Sequence, residues 1–234
     1  MRERALPQVV ILAGGLGTRL GAVTASLPKP MVPVAGKPFL EYVIAQLARQ
    51  QFRRILLLAG FRAEVIREHF GDGSRFGVEI DYSIEPEPLG TGGAIRFAAS
   101  NVDDRFLLMY GDLYRELDYA AFCDAHRERS CLAIYEYVAG LTTIACGNVA
   151  LADRQVVAYR KNRPDLAFPY VDAGFGVMTR EAVALLPAGA SSFEERVYDA
   201  LATRGRLEGE VVDREFFDIG NPADLERTRA TFAR

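Results

Sequence analysis

Tryptophan is absent from the 234 residues, histidine occurs twice and cysteine three times. No segment approaches the roughly 18 consecutive apolar residues of a membrane-spanning helix. The odd cysteine count without Cys-x-x-Cys spacing excludes a disulfide framework and a thiolate zinc site, so Cys123, Cys131 and Cys146 are expected as reduced thiols. His69 and His126 lie in polar, helix-like stretches with no partner motif and are expected at the surface. Excess positive charge is missing too. A net charge of −3 argues against a nucleic-acid or anionic-membrane binder, so any anionic ligand is expected to be small and held in a cleft. The opening Met-Arg-Glu-Arg-Ala-Leu-Pro lacks the apolar core of a signal peptide, which predicts a cytoplasmic protein. No internal repeat, low-complexity tract or Pro/Ser linker interrupts the chain, and no hexapeptide repeat follows residue 220. With 50% hydrophobic residues, 1–234 reads as one domain.

Apolar runs alternate with amphipathic stretches, which predicts an α/β fold: a three-layer α/β/α, Rossmann-like arrangement around a mixed, mainly parallel sheet. Strands are expected at 8–13, 55–59, 78–83, 106–110, 131–138, 144–151, 156–160, 171–178 and 207–212. Helices are expected at 38–51, 63–70, from Gly90, at 118–129, 180–186, 192–203 and from Pro222. Asn221 reads as the cap of the last helix, and Ser192 as a cap with Glu195 placed for a capping box.

The most informative string is Leu12-Ala13-Gly14-Gly15-Leu16-Gly17-Thr18-Arg19-Leu20, followed by Pro28-Lys29-Pro30. It joins an apolar strand to a glycine loop with two cations, at the strand end where open α/β sheets bind ligands. Glycines let backbone N–H groups approach phosphate oxygens; Arg19 offers a planar fork and Lys29 a point charge. No Gly-Lys-Ser/Thr follows, so this is not a Walker loop. A second cluster, Gly90-Thr91-Gly92-Gly93, opens a helix and should offer N–H groups to an anion or a base edge, facing the first loop.

The glycine string with Pro-Lys-Pro-Met-Val-Pro-Val closely resembles the signature of the sugar-1-phosphate nucleotidyltransferases. Gly111-Asp112, Glu85 to Ala94 and Phe217-Asp218-Ile219-Gly220 extend the resemblance along the chain. It implies transfer of a nucleotidyl group from an NTP to a sugar 1-phosphate with release of pyrophosphate, and self-association is common in such families. It further implies Asp112 and Asp218 as ligands of Mg²⁺, with Arg19, Lys29 and Asp112 as catalytic residues. Leu12, Ala13, Gly14, Gly15, Gly17, Thr18, Glu85, Gly90 and Thr91 would bind nucleotide, and Gly147, Lys161, Asp172 and Gly174 the sugar phosphate. No side-chain base is required, since a phosphomonoester is already a dianion near neutral pH; catalysis would rest on positioning and electrostatics. The chain departs from the pattern at Arg160, where the family has a glutamate that grips sugar hydroxyls.

Glu85 stands where uridylyl- and thymidylyltransferases commonly have glutamine. A carboxylate has only acceptors and can take two N–H groups of guanine, whereas glutamine also donates to a pyrimidine carbonyl. GTP is therefore favoured. The whole chain looks most like D-glycero-D-manno-heptose 1-phosphate guanylyltransferases, then mannose-1-phosphate guanylyltransferases. N-acetylmuramate-1-phosphate uridylyltransferases share both the glutamate and the Phe-Gly-Asp-Gly-Ser-Arg-Phe-Gly stretch at 70–77. A non-catalytic nucleotide-sugar sensor and a phosphocholine-type acceptor caged by Tyr110, Tyr114, Tyr135, Tyr137 or Tyr170 are the alternatives from other classes.

Overall fold

The computed structural model describes residues 6–15, 17, 20, 21, 24, 26–139, 146–161, 163–213 and 215–233. Two of the expected site residues, Thr18 and Arg19, lie outside this set, as does the 144–145 portion of one expected strand.

The first half builds a parallel sheet. Strand β1 (Gln8–Leu12) leads through the short β2 (Pro33–Val34) and β3 (Lys37–Pro38) into helix α1 (Phe39–Arg49). Then come β4 (Arg54–Ala59), α2 (Ala63–Phe70), β5 (Glu79–Ile84), α3 (Gly90–Phe97) and β6 (Arg105–Tyr110). Pro38 sits immediately before α1, with φ already fixed near the helical value. Gly71 ends α2 in a positive-φ conformation, as expected of a helix stop.

The second half runs β7 (Leu113–Tyr114), α4 (Tyr119–Ala125), β8 (Ser130–Glu136), β9 (Val149–Ala152), β10 (Gln155–Tyr159) and β11 (Tyr170–Thr179). It continues with α5 (Arg180–Ala184), a π-helical turn at Glu194–Tyr198, α6 (Asp199–Thr203), β12 (Leu207–Val211), β13 (Phe217–Asp218) and α7 (Pro222–Phe232). Among the described residues nine strands form one sheet in the order β5-β4-β1-β6-β11-β8-β12-β10-β9. Strands β5, β4, β1 and β6 are mutually parallel. Beyond them β11 is antiparallel to both β6 and β8, and among the described residues parallel pairing returns only between β8 and β12.

Alternation along the strands divides the core into two layers. Val9, Ile11, Ile55, Leu57, Leu107 and Met109 face α1, α2, α4 and α7, while Val10, Leu56, Leu58, Phe106 and Leu108 face α3, α5 and α6. The three-layer α/β/α reading holds. Among the described residues no helix is long and apolar enough to cross a membrane.

Three local expectations are corrected. The helix expected at 118–129 stops at Ala125, because His126 turns inward instead of lying at the surface. It is 2% exposed, and its two ring nitrogens face Glu208 and Glu210, which the alternation of β12 puts on one side of the sheet. Strand β9 begins at Val149, later than expected. Ser192 does accept from the Glu195 amide, at 3.3 Å, but its hydroxyl donates to Glu194, and the helix opens as a π turn. Asn221 caps α7 as expected, accepting from the Asp224 amide at 3.0 Å, and Cys123, Cys131 and Cys146 are free.

Candidate active site

Two cavities open at the carboxyl ends of the parallel strands and meet at Lys29, Tyr110 and Asp112, which line both. The first, about 420 Å³, is walled by the loop after β1 and the start of α3. Leu12, Ala13, Gly14, Gly15, Gly17, Glu85, Gly90 and Thr91, all expected to bind nucleotide, line it. The two glycine clusters thus face one another. Gly17 has φ +62°, and a Cβ there would lie 2.9 Å from Thr24 Cγ2 and 3.0 Å from Lys29 Cβ. Glycine at this position lets the loop close down on the lysine.

Glu85 leans into the cavity at the end of β5. Its Oε2 accepts from the Leu89 amide at 3.2 Å, and burial raises its pKa against that hydrogen bond. A Cβ on Gly60 would lie 2.7 Å from Glu85 Oε1, and one on Gly14 3.3 Å away, so both glycines make room for the carboxylate. Nothing in the sequence near Gly60 resembled a motif; only the space it leaves for Glu85 reveals it.

At the start of α3 two of the four expected N–H donors are already engaged. The Gly92 and Gly93 amides donate to the Ser191 carbonyl, at 2.8 and 3.3 Å, and so are not open to an anion. Their lack of Cβ admits the 189–193 segment, since a Cβ would lie 2.6 Å from Ser191 Oγ at Gly92 and 2.6 Å from the Gly189 carbonyl at Gly93. Thr91 lines the cavity, but its hydroxyl donates to Glu194 and accepts from the Phe193 amide.

The second cavity, about 560 Å³, holds Lys161, Asp172 and Gly174 of the expected sugar-phosphate set, together with Asp112 and Asp218. Gly147 is not part of its wall. It pairs with Phe168 in an antiparallel bridge, where a Cβ would overlap the Phe168 carbonyl oxygen at 1.9 Å. Its glycine identity therefore answers to backbone packing. Arg160 turns away from the cavity to pair with Asp199 of α6, which leaves Lys161 in the wall without its neighbour.

Asp172 is held by backbone and side chain alike. Its Oδ1 accepts from the Gly174 amide at 2.8 Å, its Oδ2 from the Tyr159 hydroxyl at 3.1 Å, and its own amide donates to Asn148 Oδ1 at 2.8 Å. Burial pushes its pKa up to about 6 despite these donors. Asn148 and Tyr159, which also line the cavity, were not singled out from sequence. Nor was Arg115, a buried guanidinium stacked on Tyr135 and Phe216 that donates to the carbonyls of Ala173 and Asp213.

The two expected metal ligands are brought together by a two-stranded ladder. Asp112 follows β6 immediately before β7, and β13 pairs antiparallel to β7 with Asp218 opposite Leu113. Lys29 Nζ forms an ion pair with Asp112 Oδ2. Burial, then the nearby Asp112, raises the Asp218 pKa to about 6. Asp218 Oδ1 is buried with no hydrogen-bond partner among the described residues, and Gly220 leaves room beside it, where a Cβ would lie 2.9 Å from either carboxylate oxygen. An orphaned anionic oxygen next to a second carboxylate is the donor set a hard divalent cation uses. Among the described residues there is no cluster of three or more metal-ligating side chains, so two carboxylates, with the remaining positions left to substrate or water, are what the site offers.

The profile of the nucleotidyl transferase family matches residues 8–233. A mannose-1-phosphate guanylyltransferase of Mycobacterium tuberculosis is 34% identical over 230 residues, covering 96% of this chain and 64% of that protein. The chain thus spans less than two thirds of that relative's length. A D-glycero-alpha-D-manno-heptose 1-phosphate guanylyltransferase of Aneurinibacillus thermoaerophilus is 30% identical, covering 95% of this chain and 96% of that one. The crystal structure of HddC from Yersinia pseudotuberculosis complexed with GMP-PN superposes with a TM-score of 0.78 at 31% identity, covering 97% of this chain and all of the other.

Proposed function

Because the chain belongs to the nucleotidyl transferase family, we propose that it is a sugar-1-phosphate nucleotidyltransferase that moves a guanylyl group from GTP to a manno-configured sugar 1-phosphate. D-glycero-α-D-manno-heptose 1-phosphate is the first choice of acceptor and mannose 1-phosphate, which lacks the seventh carbon, the second. One observation carries the reading: a glycine-walled cavity containing Glu85 and a carboxylate- and amide-lined cavity containing Asp172 meet at Lys29 and Asp112.

In this reading GTP lies in the first cavity with its base toward Glu85 and its α-phosphate at the Lys29–Asp112 seam. The sugar lies in the second, its hydroxyls donating to Asp172 and its phosphate beside Lys161. An oxygen of that phosphate attacks the α-phosphorus, the bond to the bridging oxygen of pyrophosphate breaks, and no side chain needs to take a proton. Lys29 balances charge at the reaction centre, Lys161 holds the nucleophile, and Arg19 would contact the departing phosphates. Mg²⁺ held by Asp112 and Asp218 would neutralise phosphate charge and stabilise the leaving pyrophosphate. The chain's own contribution is to bring two anions together and align them.

The test is pyrophosphate release with Mg²⁺ across GTP, UTP, CTP, dTTP and ATP, each paired with heptose, mannose, glucose and N-acetylmuramate 1-phosphates. Release with GTP and a manno-configured sugar is the expected result. Release with UTP alone overturns the base assignment, and nucleotide binding without any release overturns the enzyme in favour of a sensor.

A further inference from the structure

A buried carboxylate ties the walls of the two cavities together. Glu194 is 1% exposed, whereas its neighbour Glu195 is exposed. Its Oε2 accepts from Thr91 Oγ at 2.8 Å and from Ser192 Oγ at 2.6 Å, and its Oε1 accepts from the Tyr110 hydroxyl and lies 3.8 Å from Lys161 Nζ. Thr91 lines the first cavity, Lys161 the second, and Tyr110 both. Glu194 also opens the π-helical turn at Glu194–Tyr198, a widened helical turn of a kind often found at functional sites.

The Lys161 contact has a particular character. Its side chain is 44% exposed, and a lysine so placed has great rotamer freedom unless a charge restrains it. At 3.8 Å the attraction to Glu194 is Coulombic and is not a hydrogen bond, so the ammonium N–H groups are not engaged by the carboxylate. Glu194 in turn stays ionised: burial alone would raise its pKa, but Lys161 and the Ser192 and Tyr110 hydroxyls outweigh it and hold the pKa low. Glu194 is thus an anchored negative charge facing one mobile cation across the cavity wall.

We propose that Glu194 is a positioning residue for the transfer, holding the Lys161 ammonium at the acceptor cavity with its donors free for the incoming phosphate, and fixing that hold to the nucleotide wall through Thr91. The proposal rests on reading the second cavity as the acceptor site. A glutamine at 194 keeps an acceptor oxygen for Thr91 and Ser192 and removes the charge; its NH2 group takes the place of Oε1, so the Tyr110 hydroxyl must turn to accept from it.

Steady-state kinetics of the intact protein, with GTP and whichever sugar 1-phosphate the wild type accepts, test it. Glu194→Gln is expected to raise KM for the sugar 1-phosphate about tenfold, the scale of one charge-assisted hydrogen bond. KM for GTP and kcat should stay nearly unchanged. In a Lys161→Ala background the same substitution should add nothing, since the residue through which it acts is gone. If Glu194→Gln does not fold, Glu194→Asp, which keeps the charge but withdraws it by one methylene, serves in the same cycle with the same expected sign. An unchanged acceptor KM, or effects of Glu194 and Lys161 variants that multiply, overturns the proposal alone. A wild-type protein that releases no pyrophosphate with any sugar 1-phosphate overturns the acceptor reading and the proposal with it.

Discussion

Lys29 and Asp112 are bonded to one another at the seam of the two cavities, ammonium to carboxylate Oδ2, from positions 83 residues apart. Each neutralises the other in the absence of substrate, and each is in place for a phosphate or a cation that would compete for it. Asp112→Asn removes the charge without the shape. It is expected to lower the rate of pyrophosphate formation about 10²–10³-fold, the usual scale for losing one electrostatic group at a reaction centre. GTP binding, followed by calorimetry without Mg²⁺, should persist. Full turnover in this variant would remove Asp112 from the mechanism.

Glu85 and Gly60 make a second pair whose roles can be separated by kinetics. Glu85→Gln supplies a donor where the wild type has only acceptors, and the preference for GTP over UTP in kcat/KM should fall roughly tenfold to a hundredfold. Gly60→Ala leaves Glu85 chemically intact but puts a Cβ 2.7 Å from its Oε1, forcing it out of place. KM for GTP should rise with kcat little changed. A Gly60→Ala enzyme with wild-type KM would mean that Glu85 does not meet the nucleotide where it sits in the free protein.

Asp172 predicts a pH dependence of stability. Its pKa is raised in the folded protein to about 6, above that of an unfolded aspartate. Between these two values the folded state binds more protons than the unfolded one, so stability falls as pH rises through this window. The loss from this residue is at most about 3 kcal/mol, from a rise of roughly two pKa units. Asp172→Asn should remove its share of the slope between about pH 4 and 6 and melt higher than wild type at pH 7.5. Denaturant titrations of both proteins across that range check it; parallel slopes would show that Asp172 is not protonated in the folded state.

How much of this was legible in advance depended on whether the cause was local. The strand at Gln8–Leu12, its glycine loop and the Gly111-Asp112 turn after β6 could be read directly, because an apolar run and the turn that ends it are written in adjacent residues. The stop of α2 at Gly71 and the cap of α7 at Asn221 are local in the same sense. Contacts across the fold were legible only where a motif resemblance carried them, as for Asp112 and Asp218. Glu194 and Glu195 are chemically identical neighbours, and capping-box spacing selects Glu195; only the π turn and the approach of Thr91, Tyr110 and Lys161 set Glu194 apart. His126 looked like a helix-surface residue because its partners, Glu208 and Glu210, are more than 80 positions away. The amides of Gly92 and Gly93 looked free for the same reason, their acceptor being Ser191.

The ladder between β7 and β13 bears on the order in which the protein becomes competent. The residues that line the first cavity fall within 12–112, although the start of α3 is buttressed by Ser191, Phe193 and Glu194. Asp112 meets its partner carboxylate only when Phe217–Asp218 has been made and laid against Leu113–Tyr114. The two carboxylates proposed to hold the cation therefore come together only once nearly the last residues of the chain are in place, and a chain truncated before Phe217 would leave Asp112 without its partner.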